Sequence, residues 1–194
     1  MEIPAKAAEP SPLLEEGEIT EIVGRLSSGR TSLLIRCLRD ITACGGIGAL
    51  IDTHDVFDAA SAARGGVDLH RLLWVRCGGR RAVAMRAADL LVRCPGFALI
   101  AVDFGEIAPH LTLSGAYRWK LAARRHGVAL VVLGARRLAG PGAALAVETV
   151  RRGLEWTGPP AMPRRLARMA VGMRVLRCRG AALPAGEQVQ WLSA

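Results

Sequence analysis

The residues most able to do chemistry lie in one short run, Gly24-Arg25-Leu26-Ser27-Ser28-Gly29-Arg30-Thr31. The run has the G-x4-G-K-[ST] spacing of a phosphate-binding loop, with Arg30 where the lysine belongs. Glycines at both ends let the backbone curl so that its N–H groups converge on an anion, and a following helix adds its positive end. Gly24, Ser28, Gly29 and Arg30 are the candidate phosphate contacts, and Thr31 or Ser32 would offer a hydroxyl to magnesium. A second piece is Asp103, at the end of the apolar run FALIAVD, in the place of a carboxylate that orients magnesium-bound water. Ile51-Asp52-Thr53-His54-Asp55 stands where the group that positions an attacking water belongs, which makes Asp52, His54 and Asp103 the vestigial catalytic candidates. Arginine is longer and planar, so it does not replace a lysine that follows the transferring phosphate. Arg30 either grips a phosphate or pairs with Asp103 or Asp52 across an empty site, and the second is the expectation.

Those residues need a scaffold, and the hydropathy pattern supplies one. Residues 18–24, 48–52, 72–77, 97–103 and 128–134 read as short apolar strands. Helical spacing over 32–43, 55–64, 81–94 and 114–127 alternates with them. Such alternation predicts an α/β fold, a mostly parallel sheet with helices on both faces. Residues 144–157, 168–179 and 187–192 read as strands separated by Gly140-Pro141-Gly142, Gly158-Pro159-Pro160 and 181–186, an antiparallel edge. Residues 1–16 read as a mobile lead-in and 17–194 as one domain.

Composition narrows the class. The 194 residues are 51% hydrophobic and carry a net charge of +9. No apolar run is long enough for a membrane helix and no basic-then-apolar leader opens the chain, so neither a membrane-spanning nor a secreted protein is expected. The five cysteines form no CxxC pair and read as small buried hydrophobes of a reducing cytoplasm, with no metal site expected. Trp74, Trp119, Trp156 and Trp191 read as core or edge packing rather than a base-stacking platform. Residues 98–194 hold 14 of the 26 Lys+Arg and 5 of the 17 Asp+Glu, so the whole excess lies there. The doublets Arg136-Arg137, Arg151-Arg152 and Arg164-Arg165 are the candidate contacts to DNA or to an acidic partner; the plainer reading is a solvated face.

GEITEIVGRLSSGRTSLLIRCL, followed by GALIDTHDVFDAASAARGGVDLHRLLWVRC, resembles the core of bacterial RecA recombinases, and FALIAVD and the strands beyond continue the likeness over roughly residues 17–192. Within that superfamily the chain is more similar to the short ImuA-type proteins, RecA-like relatives that serve error-prone translesion synthesis. The resemblance implies a P-loop fold, but its departures are specific. Arg30 replaces the lysine, His54 falls on the water-activating glutamate, and Gly134-Ala135 falls on the nucleotide-sensing Asn-Gln pair. The DNA-binding loop shrinks to Arg136–Gly142, and the N-terminal packing unit and the C-terminal domain find no counterpart. The resemblance therefore implies a non-catalytic accessory protein of damage-induced (SOS) mutagenesis. It needs no cofactor, with weak ATP–magnesium binding left open. Its implied partners are a RecA-type recombinase, an inactive Y-family polymerase homologue of ImuB type, and an error-prone replicative-type DNA polymerase, with DNA as a further candidate. The alternatives are a slow DNA-dependent ATPase using Arg30, Asp103 and one of Asp52, His54 or Asp55, and, more distantly, a damage-induced cell-division inhibitor. The retained Gly24–Thr31 loop argues against the last.

Overall fold

The computed structural model describes residues 12–107, 109–159, 165–179 and 187–193. Six strands run parallel: β1 (Ile19–Val23), β2 (Gly48–Asp52), β3 (Leu72–Arg76), β4 (Leu99–Asp103), β5 (Ala129–Gly134) and β6 (Leu145–Thr157). β7 (Arg165–Cys178) and β8 (Glu187–Ser193) complete one sheet ordered β3-β2-β4-β5-β1-β6-β7-β8. The expected antiparallel edge is present, and the structure locates its start. β6 joins the sheet parallel to β1 over residues 145–148, and antiparallel pairing begins with β7. Beyond Glu148, β6 has no β1 partner, so the β6–β7 hairpin overhangs the end of the parallel sheet.

The central strands are apolar throughout because successive side chains enter two different cores. Leu99, Ala101, Val131 and Leu133 pack with Leu33, Leu34, Cys37 and Leu38 of α1 (Arg30–Ala43). Ile100, Val102, Leu130 and Val132 face the other way, toward α3 (Arg81–Leu91) and α4 (Leu113–His126) and the buried Trp119. Helix limits follow from capping. Thr112 accepts from Gly115 N–H at the start of α4, and Gly127 ends it at φ 64° in the left-handed region.

Three expectations are corrected. The helix expected from Asp55 begins only at α2 (Ala59–Arg64), where Asp58 caps Ala60 N–H. Asp55 is left-handed at φ 58°, and Phe57 N–H donates to Asp52 Oδ2, so residues 55–58 are held as a loop. Of the cysteines, only Cys37 and Cys77 are buried, whereas Cys44, Cys94 and Cys178 are exposed. The core also reaches back before residue 17: Leu13 is 3% exposed and its carbonyl accepts from Thr20 Oγ1. Residues 1–11 of the expected lead-in and the whole of the turn at 181–186 lie outside the described residues. No helix among the described residues is long and apolar enough to cross a membrane.

Candidate functional site

The phosphate loop joins β1 to α1 as its spacing requires. Gly29, at φ 97°, stands at the N-cap of α1, and no side chain caps the helix. Ser27 is left-handed at φ 59° without being glycine, which marks the sharp turn of the loop. Ser28 Oγ and Thr149 Oγ1 hydrogen-bond at 2.8 Å, pinning the loop to β6. A β-carbon on Gly24 would fall 2.2 Å from that Ser28 oxygen, so only glycine fits there. β7 covers the loop's other side: Val171 packs on Gly29, and Met169 lines a small cavity with Arg30, Thr31 and Ser32.

Arg30 decides the chemistry of the loop. It is 5% exposed, and its Nη1 donates to the Gly24 carbonyl and, at 2.8 Å, to Glu106 Oε1. Asp103 Oδ1 lies 4.0 Å from Nη2. Arg30 therefore does pair near Asp103, but its close partner is Glu106, a residue the sequence reading did not single out. Asp52 is no partner of Arg30 among the described contacts. Its Oδ2 accepts from Phe57 N–H at 2.8 Å and from Trp74 Nε1 at 3.3 Å. Asp52 Oδ1 and Thr53 Oγ1 are buried with no hydrogen-bond partner.

Asp52 and Asp103 are neighbours in register on β2 and β4. Burial pushes the Asp103 carboxyl above its ordinary range; Gly105 N–H and the Arg30 charge pull it down, while the Asp52 charge adds to the rise. His54 is exposed, and its ring lies over Gly105, where a β-carbon would meet His54 Cδ2 at 2.7 Å. Arg30, Thr31, Asp52, His54, Asp103 and Glu106 all line one cavity of about 280 Å³. Of the candidate loop residues, Gly29 and Ser32 line the small cavity instead, and Gly24 and Ser28 line the cavity on the loop's other side. Among the described residues no group of three or more His, Cys, Asp or Glu side chains is placed to hold a metal ion.

The arginine doublets fare differently. Arg136 and Arg151 are exposed; Arg151 lines a cavity of about 360 Å³ with Arg25 and Ala135, beside the loop. Arg152 is also exposed, and Arg165 lies at the far end of the hairpin opposite Thr157. Arg164 lies outside the described residues. Arg137 is corrected to a structural role: its Nε donates to the buried Glu21 at 3.1 Å, and Glu21 also accepts from Leu138 and Ala139 N–H. That carboxylate fixes the segment 136–142. Much of the remaining basic excess is neutralised locally, as in Arg118 with Asp89, Lys120 and Arg124 with Glu18, and Arg174 with Glu148. Trp119 is buried as expected and Trp74 packs edge-on against Phe57, but Trp156 is about half exposed.

A family model, the RecA N-terminal domain, matches residues 11–131. The chain belongs to the RecA family. Protein RecA of Bacteroides thetaiotaomicron is 37% identical over 100 residues, covering 51% of this chain and 30% of that protein. Protein RecA of Tropheryma whipplei is 34% identical over 103 residues, 53% of this chain and 23% of the relative. That of Desulfotalea psychrophila is 37% identical over 103 residues, 53% and 29%. The matched stretch spans less than a third of these curated relatives. The family-model match includes the phosphate loop, Asp52 and Asp103, so the arginine at position 30 sits inside a recognisably RecA-like frame.

Proposed function

We propose that this chain is a RecA-like module without ATP turnover, acting as an accessory protein of ImuA type in damage-induced mutagenesis. The observation that carries the reading is Arg30, whose guanidinium lies against Gly24 and Glu106 rather than free for a phosphate. Phosphoryl transfer depends on a cation that tracks the moving phosphate and on a group that orients the attacking water. The first is engaged by Glu106, and the second position holds His54. Groups of this kind each supply orders of magnitude in rate, so losing both removes useful turnover. What remains is the RecA-like shape, suited to contacting a recombinase, an inactive Y-family polymerase homologue and an error-prone replicative-type polymerase. The exposed Arg136 and Arg151 would meet DNA or an acidic partner surface.

Two measurements test the reading. The purified protein should hydrolyse ATP negligibly with or without single-stranded DNA. Deletion of its gene should lower mutation frequency after ultraviolet damage while homologous recombination persists. DNA-stimulated hydrolysis at recombinase-like rates would assign the chain to the slow-ATPase alternative, and normal induced mutation in the deletion strain would remove the adaptor role.

A further inference from the structure

We propose that the cavity of about 280 Å³ lined by Asp52, Asp103 and Glu106 is a receptor for a basic side chain, an arginine or lysine presented on an apolar segment of a protein partner. The inference deepens the adaptor reading and rests on it, since nucleotide must leave this cavity to the partner.

Asp52, Asp103 and Glu106 line the cavity, and Arg30, the guanidinium among them, is already paired with Glu106. A chain of net charge +9 has thus gathered an excess of carboxylate around one hollow. A polyphosphate entering it would meet like charge, whereas a cation would meet its complement. Asp52 contributes its charge from beneath the cavity floor. It is 2% exposed, its Oδ2 is satisfied by Phe57 N–H and Trp74 Nε1, and its Oδ1 accepts nothing. That oxygen is itself enclosed, so an entering guanidinium or ammonium meets Asp52 through its charge rather than through a direct hydrogen bond.

The mouth of the cavity gives the occupant its remaining chemistry. Leu26, Val56 and Ile107 come from three separate loops and are 72%, 71% and 63% exposed around it. Apolar side chains gathered so openly about one opening mark a contact surface. They match the methylene stem of an arginine or lysine, whose charged head reaches past the rim. At about 280 Å³ the cavity is slightly smaller than the roughly 300–1,000 Å³ of small-molecule sites, a size for one long side chain.

The test uses the whole protein, isotope-labelled, titrated with capped Leu-Arg-Leu and with its citrulline counterpart, which keeps the shape and loses the charge. The arginine peptide should shift the amide signals of Thr53 and Gly105 and bind at least about tenfold more tightly than the citrulline peptide. Glu106→Gln, on an exposed turn, should abolish that preference. Ile107→Ser should weaken both peptides alike. Equal binding of the two peptides, shifts confined to other surfaces, or no binding at all would overturn the receptor. Shifts of the same amides on concentrating the protein alone would overturn it in favour of a second copy as occupant. ATP–magnesium is titrated in parallel with phosphate release measured: DNA-stimulated ATP turnover would overturn the adaptor reading itself, whereas absence of peptide binding in a protein that turns over no ATP would overturn the receptor alone.

Discussion

Val171 of β7 and Gly29 of the phosphate loop meet side chain against bare backbone. A β-carbon on Gly29 would stand 2.2 Å from Val171 Cγ2, a separation that packed atoms do not tolerate. The hairpin that overhangs the sheet is therefore also the outer wall of the loop. Gly29→Ala should destabilise the protein by at least about 1–2 kcal/mol from its left-handed φ alone, and by more through the clash. Gly29→Ala combined with Val171→Ala should recover the clash portion and leave the backbone portion. Denaturant unfolding of the wild type, both single variants and the double variant measures this coupling.

Arg30→Lys alone should not restore ATP hydrolysis, because His54 still occupies the water-orienting position. Glu106→Gln should instead raise ATP affinity severalfold, about 1 kcal/mol for releasing a part-exposed ion pair, again without turnover. Calorimetric titration with ATP–magnesium and a phosphate-release assay separate the two effects.

Glu18 and Asp103 should give the stability–pH curve opposing contributions. Burial raises the Glu18 carboxyl, but Lys120, 2.7 Å away, and Arg124 outweigh it and hold it below its ordinary 4.5. The stability it brings is fully present above pH 4.5 and is lost as pH falls through the lowered folded value. Asp103, raised by burial, favours the folded protein below its ordinary 3.8, and that advantage is lost as pH rises through its raised value. Glu18→Gln should cost on the order of 3 kcal/mol at pH 7, since it strands the buried Lys120, and should flatten the acid limb. Asp103→Asn should gain stability at pH 7 and none below 3.8. Chemical denaturation across pH 3–8 checks both signs.

Arg136→Glu with Arg151→Glu should leave the fold intact and weaken whichever contact the proposed basic face makes, to DNA or to an acidic partner; on DNA the signature is a salt dependence. Each lost phosphate contact should reduce the salt slope by about 0.9 log units on duplex. Arg137→Glu should act differently and destabilise the protein, because it places a second carboxylate against buried Glu21. Affinity measured over a salt series, beside thermal unfolding, distinguishes surface arginines from the structural one.

The parallel strands and the loop motif were legible because burial on both faces leaves continuous apolar runs and the loop's spacing is local. Glu106 was not legible. Its partnership with Arg30 spans 76 residues and depends on β1 and β4 ending at the same edge. The delayed start of α2 was hidden for a related reason: a buried side chain, Asp52, captures the Phe57 N–H that the expected helix would enclose. Linear charge counting located the basic half correctly but could not show that Glu18, Glu21 and Glu148 neutralise much of it from distant positions.

Glu106 also changes what it means for this loop to meet a phosphate. A carboxylate held 2.8 Å from the guanidinium by the fold is a tethered competitor, and its effective concentration does not fall when the cell is diluted or starved. If releasing that ion pair costs about 1 kcal/mol, Arg30 is free roughly one sixth of the time, and any phosphate ligand that needs it loses severalfold in apparent affinity. The penalty applies equally to every nucleotide, whatever its base. Selectivity against occupancy is thereby set by a single turn after β4, independently of the glycines that shape the loop.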